Sequence, residues 1–154
     1  MSDTIRLEPN LTNHCFGCGG KNDGGMKLTF EQDNENRRIV GRFVLGERYQ
    51  GGGGFAHGGI IALLLDEAMG KVCRFRDVRA VTAELSVEYL KPVAVDKEIV
   101  VEGRETKMNG RNLFLSGEIR NENGEVLACG KGRFVVIKQR QDDLEVQAFQ
   151  KIQE

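Results

Sequence analysis

The sequence predicts an α+β domain in which one long helix packs on an antiparallel β-sheet. Three observations carry this prediction. One apolar stretch, residues 57–75, has helical periodicity, several other segments alternate apolar and polar residues, and Asn-Gly pairs separate the later segments. One helix and one sheet form two layers around a single core. The chain length of 154 residues suits one such domain.

Six segments are predicted as strands because they alternate or are rich in β-branched residues. Two precede the helix and four follow it, and the four are expected to form an antiparallel meander. The segments are residues 26–33, 37–46, 80–93, 97–108, 111–121 and 125–138. The domain is thus assigned to residues 26–138. Residues 1–25 are expected to form an extension with a Cys-Gly turn, and residues 139–154 a polar tail or short helix.

Composition argues against several classes of partner. The chain has 22 basic and 23 acidic residues, for a formal net charge of -1, which gives no electrostatic case for nucleic acid or a membrane surface. The longest aliphatic run, residues 60–65, is far shorter than the ~20 residues that span a bilayer. The first ten residues contain no apolar segment typical of a signal peptide, so a cytoplasmic location is expected.

The segment HCFGC, residues 14–18, places two of the four cysteines in a CxxC spacing. A closed zinc site usually has four ligands, often from two such pairs, and here Cys73 and Cys129 stand alone. A redox pair would be expected at a helix start, which the glycines after Cys18 disfavour. The sequence therefore favours a tight turn in which these cysteines pack inward, and no metal or cofactor is expected.

The predicted helix contains two adjacent acids, Asp66 and Glu67, in its apolar run. Glu67 has basic partners along the helix in Lys71 and Arg74. Asp66 has none, and because a partnerless buried carboxylate is costly, its position indicates a site in a cleft or at a contact with another chain. Around it lie small residues, Gly59, Ala62, Gly70 and Cys73. The opposite, core-facing stripe comprises Ile61, Leu64, Leu65, Ala68, Val72 and Phe75.

The helix begins at His57, Gly58 and Gly59, where the first backbone N–H groups have no acceptor within the helix. These groups lie at the positive end of the helix dipole and suit a developing oxyanion. Glycine allows a substrate carbonyl to approach closely. Asp66 lies roughly 12 Å further along the axis, at ~1.5 Å per residue. Because one helix cannot bring both groups to the same carbonyl, the sequence predicts a homo-oligomer with its site between subunits.

The chain from about residue 14 to residue 138 resembles the hotdog-fold acyl-CoA thioesterase superfamily, of the PaaI-like (phenylacetate-degradation thioesterase) kind. The resemblance lies in HGGIIALLLDEA, in the following VTAELSVEYLKPV, and in NHCFGCGGKNDGGMKLTF. It implies a long central helix wrapped by a curved antiparallel sheet, paired into dimers or dimers of dimers. It also implies hydrolysis of an acyl-CoA, or a related acyl thioester, to the free acid and CoA.

The resemblance implies roles for particular residues. Asp66 would act as general base, or as nucleophile through an anhydride, while the Gly58 N–H would polarise the thioester carbonyl. Thr82 would lie near the acid, provided that a twist or bulge turns it toward the helix. Some members carry Asn or Gln six residues before the histidine, where this chain has Gly51, and Gln50 or a backbone amide would substitute.

Other members use a glutamate on this helix, so Glu67 remains an alternative acid. Coenzyme A carries phosphates, so basic residues are expected near the entrance, although any one of them is explained equally well as a solvated surface residue. The candidates at strand ends are Lys91, Lys107 and Arg111.

Three other functions stay open from the sequence. A hotdog hydratase or dehydratase would use His57 with Asp66 for proton abstraction. A regulatory protein would bind an acyl-CoA without turnover, which the departure at Gly51 would fit. A small zinc-binding protein would use HCFGC.

Overall fold

A computed structural model describes residues 3–140 as one seven-stranded antiparallel sheet around one long helix, which confirms the expected hotdog fold. Helix α1 (Gly58–Val72) is flanked by 3-10 turns at Glu47–Tyr49 and Cys73–Arg76. The strands are β1 (Thr4–Leu7), β2 (Phe30–Asp33), β3 (Arg38–Val44), β4 (Val78–Tyr89), β5 (Glu98–Asn109), β6 (Asn112–Arg120) and β7 (Val126–Gln139). Among these described elements there is no helix with the length and apolar character needed to span a membrane.

The order of strands in the sheet is β1-β2-β3-β5-β6-β7-β4. The predicted four-strand meander is therefore wrong, because only β5, β6 and β7 form one, and β4 pairs with β7 at the far edge. The helix connects β3 to that edge, and β4 starts close to where the helix ends. β1 was not predicted, since the segment before residue 26 was expected to be an extension, yet it pairs with β2. Of the predicted tail, residues 141–154 lie outside the described residues.

The buried side of α1 largely follows the predicted core stripe. Five of its six members are at most 2% exposed, namely Ile61, Leu64, Leu65, Ala68 and Val72. Phe75 is only half-buried and lies under the Arg37 guanidinium, because the helix has already tightened into a 3-10 turn there. Cys73, assigned from the sequence to the stripe of small residues, is buried, as is Met69.

Glycines in the sheet allow the helix to lie unusually close to it. A Cβ on Gly103 would lie 2.7 Å from the backbone oxygen of Ala68, so no side chain fits between β5 and the helix. Further along the sheet, Leu65 and Met69 pack over positions that also lack side chains, Gly117, Gly130 and Gly132. The helix therefore sits in a glycine-lined groove that fixes its rotation and depth.

The edge strand β4 contains a bulge. Its register with β7 shifts between Thr82 and Glu84, which makes Ala83 the additional residue. A one-residue bulge reverses the alternation of side chains, so Thr82 lies on the helix side together with Tyr89 instead of sharing the outer face with Glu84. The uninterrupted alternation predicted for residues 80–93 is wrong at this point. The bulge is the condition under which Thr82 was expected to face the helix.

Gly103→Ala is expected to lower the free energy of unfolding by about 1–3 kcal/mol, because the added methyl group overlaps the helix backbone. Urea unfolding followed by circular dichroism measures the change. Gly46→Ala is the matched control, since Gly46 has φ -78° and nothing lies within 4 Å of its Cβ position. Equal effects of the two substitutions would contradict the close contact between helix and sheet.

Candidate active site

Asp66 lies on the side of α1 that faces β4. The Thr82 hydroxyl Oγ1 donates a hydrogen bond to Asp66 Oδ1 over 2.7 Å. Burial raises the pKa of Asp66 above its usual value, and although the Thr82 hydrogen bond opposes this, the neighbouring charge of Glu67 adds to it. A half-buried carboxylate with a raised pKa, held by one oxygen, is a stronger base than a solvated one and keeps its second oxygen available.

The start of the helix offers one backbone donor to a ligand. The Gly59 N–H donates to His57 Nδ1 over 2.9 Å, so this N–H is already capped. The Tyr89 hydroxyl donates to the Gly58 carbonyl oxygen over 2.7 Å, which fixes the first helical residue against β4. Within residues 3–140, the Gly58 N–H has no acceptor, and Gly58 is exposed. Gly58 therefore supplies the available N–H, while that of Gly59 is occupied by the imidazole.

The two halves of the predicted site face different cavities. A cavity of about 730 Å³ beside Asp66 and Thr82 is bounded by the second half of α1, the start of β4 and the N-terminal segment. Gly58 and Tyr89 line a separate cavity of about 260 Å³ at the other end of β4. Four arginines, Arg6, Arg74, Arg79 and Arg140, are among the residues that line the first cavity.

The turn before the helix explains why this chain has Gly51 at the position where some members of the family have Asn or Gln. The Gly51 N–H donates to the Phe55 carbonyl oxygen, and the backbones of Gln50 and Ala56 pair as an isolated antiparallel β-bridge. A Cβ on Gly51 would lie 3.2 Å from the His57 Cα, so a larger residue at this position would crowd the start of the helix. Gly53 and Gly54 have φ of 60° and 81°, which suits glycine in a tight turn.

The basic residues predicted at the entrance are already engaged and lie outside the cavity beside Asp66. Lys91 pairs with Glu125 and borders the Gly58 cavity. Arg111 donates two hydrogen bonds to one backbone oxygen of β7, and Lys107 lies 4.8 Å from the centre of the Phe114 ring. The arginines of the larger cavity were not predicted, because they come from elements that are far apart in sequence.

Glu67 points away from Asp66, toward the HCFGC segment. Its Oε2 lies 3.6 Å from Lys71 Nζ, as predicted, while its Oε1 lies 3.6 Å from the Sγ of Cys15. The second predicted partner is wrong, because Arg74 donates to the Gln32 side chain that β2 brings beside the end of the helix.

Inward packing of both cysteines is also wrong. Cys15 is exposed and Cys18 is half-buried, because the turn lies over the polar side of α1 rather than over its apolar core. Burial, partly offset by the nearby Lys71, raises the pKa of the Cys18 thiol to about 12. The sequence gives no signal for this cluster, since 49 residues separate Cys18 from Glu67.

A family model described as the thioesterase superfamily matches residues 53–128. Among curated proteins, the rat protein "Acyl-coenzyme A thioesterase THEM4" is 34% identical over 103 residues, which are 67% of this chain and 44% of the relative. The chain therefore spans less than half the length of that relative.

Two solved structures extend the comparison to the fold. The thioesterase superfamily protein RHA08564 is 30% identical with a TM-score of 0.71, over 76% of this chain and 57% of that chain. A hypothetical thioesterase from Streptococcus pneumoniae, solved with coenzyme A, is 23% identical with a TM-score of 0.65, over 67% of this chain and 83% of that chain. That protein was also solved with an aspartate or a threonine, sixteen positions apart, replaced by alanine. Family match, relative and fold agree, and the chain belongs to the thioesterase superfamily with the hotdog fold.

Proposed function

We propose that this protein hydrolyses an acyl-CoA or related acyl thioester, with Asp66 as general base and the Gly58 N–H as oxyanion donor. The observation that carries the proposal is the half-buried carboxylate of Asp66, which has a raised pKa and is held by Thr82 beside a cavity. The names of the rat relative and of the coenzyme A complex support the same substrate class. Asp66 and Thr82 are also sixteen positions apart, like the aspartate and threonine replaced in the pneumococcal protein.

In the proposed reaction, Asp66 takes a proton from a water molecule as the water oxygen attacks the thioester carbonyl carbon. The carbonyl oxygen becomes an oxyanion, which the Gly58 N–H and the helix dipole stabilise. The C–S bond then breaks, and the departing thiolate takes the proton back from Asp66. Attack by the carboxylate itself would form an anhydride and release the thiolate, and water attack on the Asp66 carbonyl carbon of that anhydride would leave label in Asp66 after a single turnover in ¹⁸O-labelled water.

The proposed site requires two copies of the chain. Among the strands within residues 3–140, the twelve-residue β4 is the last in the sheet, and an edge strand is a template for pairing with another strand. Large apolar side chains remain exposed along it, with Val81 at 49%, Leu85 at 37% and Tyr89 at 56%. Burying them between two copies would remove this apolar surface from water and join the two sheets.

The register of that pairing follows from β4 itself. Thr82 contacts Asp66 and Tyr89 contacts Gly58, so one strand passes both halves of the site. Antiparallel pairing of two β4 strands, centred on Ser86 and with Ala83 as the unpaired bulge residue, places Thr82 opposite Tyr89 of the second copy. Asp66 of one chain and Gly58 of the other then lie on the same face of the joined sheet, beside the same end of the β4 pair.

The geometry argues against proton abstraction by a histidine that is paired with Asp66 of the same chain. His57 Nδ1 caps the helix by accepting from Gly59, and Asp66 lies more than two turns further along the same helix. A hydratase or dehydratase that pairs these two groups within one chain is therefore disfavoured.

Asp66→Asn is expected to lower kcat/KM for acyl-CoA hydrolysis by about 10²–10⁴-fold, because the amide cannot accept the proton. A panel of acyl-CoAs with a thiol reagent measures the free CoA released. Glu84→Gln is the control, since Glu84 lies on the outer face in an ion pair with Arg133. Activity that survives Asp66→Asn but disappears in Glu67→Gln would assign the base to the other acid, and binding without turnover of any acyl-CoA would favour a regulatory protein.

The same substitution is expected to maintain or raise stability at neutral pH. The folded-state pKa of Asp66 is above its unfolded value, so the folded state loses stability as pH rises through these two values. The uncharged amide removes that cost. Urea unfolding of Asp66→Asn and wild type at neutral and acidic pH measures it, and a large loss of stability at neutral pH would indicate a structural role for the carboxylate.

Thr82→Val is expected to shift the acidic limb of the pH profile of kcat/KM to higher pH. The Thr82 hydrogen bond lowers the pKa of Asp66, so its loss leaves burial unopposed and raises that pKa further. Thr82→Ser keeps the donor and should restore the wild-type limb. An unchanged limb in Thr82→Val would show that Thr82 does not act through Asp66.

Gly58→Pro is expected to lower kcat by about 10²–10³-fold, because proline lacks the N–H that would hold the oxyanion. Proline is tolerated at the first helical residue, and His57 before it has the extended conformation that proline requires (φ -61°, ψ 135°). Gly58→Ala retains the N–H and has room for its methyl group, 3.6 Å from Tyr89, so it serves as control. Equal losses in both variants would argue against the donor.

Mixing Asp66→Asn and Gly58→Pro chains tests the shared site directly. After subunit exchange, a heterodimer has one site with both defects and one with neither, so the mixture should recover about a quarter of wild-type activity. A site within one chain predicts no recovery. Monomers in light scattering, with full activity, would also contradict the shared site.

A further inference from the structure

The side chains of Cys15, Cys18 and Glu67 converge where the N-terminal segment crosses α1. Their potential ligand atoms, two sulfurs and a carboxylate oxygen, all lie within 4.8 Å of one another. We propose that this cluster binds a zinc ion through both thiolates and Glu67 Oε1. Two soft sulfur ligands with one oxygen are a donor set that zinc accepts in tetrahedral geometry.

The segment that carries the cysteines is held on both sides before any metal binds. The Gly19 N–H donates to the Cys15 carbonyl oxygen over 2.8 Å, and the Asn13 side chain accepts from the Cys15 N–H over 3.1 Å. On the other side, the Asn10 N–H donates to the Cys18 carbonyl oxygen. These bonds present the two sulfurs from a fixed turn, so little chain entropy is lost when a metal binds.

Glycine at position 17 lets the turn approach the acid. A Cβ on Gly17 would lie 2.4 Å from Glu67 Cδ, so any larger residue at this position would push the Glu67 side chain away from its present place beside the turn. The third ligand that is missing from the HCFGC pattern therefore comes from the helix. Neither the turn nor the helix alone forms a site.

The two oxygens of Glu67 are used separately. Oε1 faces the Cys15 sulfur at 3.6 Å, whereas Oε2 faces Lys71 Nζ at 3.6 Å. Zinc with two thiolates and one carboxylate carries a net charge of −1, which the ammonium group of Lys71 neutralises. Lys71 thus orients the ligand from outside the coordination sphere, as partners of metal ligands commonly do.

A water molecule would complete the four ligands of the proposed zinc. Cys15, Cys18 and Glu67 line the same cavity as Asp66, so the proposed zinc forms part of its wall. Binding displaces the two thiol protons to solvent and clamps the N-terminal segment onto the helix, one residue away from the acid. The proposal concerns the cavity wall and does not depend on thioester hydrolysis.

The test is metal binding to the reduced full-length chain. Incubation with equimolar zinc followed by desalting and elemental analysis should retain one zinc per chain. Cobalt in its place should give thiolate-to-metal charge-transfer bands and the visible bands of tetrahedral cobalt. Cys15→Ser and Cys18→Ser should each abolish these bands, and Lys71→Met should weaken zinc affinity by about 10–100-fold. Cys129→Ser, outside the cluster, is the matched control.

Circular dichroism of each variant shows whether it is folded, and the cobalt spectrum of the wild type gives a result that needs no variant. Failure of the folded wild type to retain zinc, or a cobalt spectrum without thiolate bands, would overturn the proposal. Zinc retained equally by Cys15→Ser and Cys18→Ser would overturn it as well. Because none of these measurements uses acyl-CoA turnover, they stand apart from any failure of the proposed hydrolysis.

Discussion

The close contact between α1 and the glycines of the sheet is the constraint on which the rest of the molecule depends. With no side chain at Gly103, the helix backbone lies against β5, and its rotation is set by Leu65 and Met69 over the neighbouring glycines. Once that rotation is fixed, the two adjacent acids point to different sides. Asp66 meets β4 and Glu67 meets the N-terminal segment. Two chemically similar carboxyl groups thereby acquire different hydrogen-bond and ion-pair partners.

Those surroundings explain why the acids differ. Asp66 is half-buried and receives one hydrogen bond from a neutral hydroxyl, so its charged form is disfavoured. Glu67 has an ammonium group at one oxygen and a thiol at the other. Desolvation raises the pKa of Asp66 and makes it the better base, whereas Glu67 lies beside the Lys71 ammonium group, which balances its negative charge. A carboxylate that is costly to bury is a common sign of a functional site.

The sequence predicts the parts of the molecule that depend on local patterns. Helical periodicity identified most of the core stripe, and the front of the helix and its single partnerless acid were recognisable because glycine and aspartate are unusual in such positions. The pairing of β4 with β7 could not be read, because Asn-Gly signals report only adjacent strands. Thr82 was predicted only conditionally, since a bulge at Ala83 has no clear signature in one sequence.

The contact of Glu67 with Cys15 could not be predicted from the sequence for a different reason. It joins residues 52 positions apart through the packing of an irregular segment, and no period or motif relates them. The resemblance to a family supplied the fold and the activity to be tested, but not Tyr89, whose contact with Gly58 depends on the same bulge. Local rules therefore identified the reactive groups, while long-range packing determined what each of them faces.

The bulge at Ala83 also divides β4 into two halves with opposite side-chain parity. Loss of Ala83 in a related chain would make Thr82, Leu85, Val87 and Tyr89 alternate regularly, so Thr82 and Tyr89 would both stay on the helix side. Loss of any other residue between Thr82 and Tyr89, with the bulge kept, would turn one of the two away from the helix. In an alignment of such chains, a gap at Ala83 would therefore mark members that lack the bulge and keep both half-sites, whereas a gap elsewhere between Thr82 and Tyr89 would mark members whose two half-sites are uncoupled.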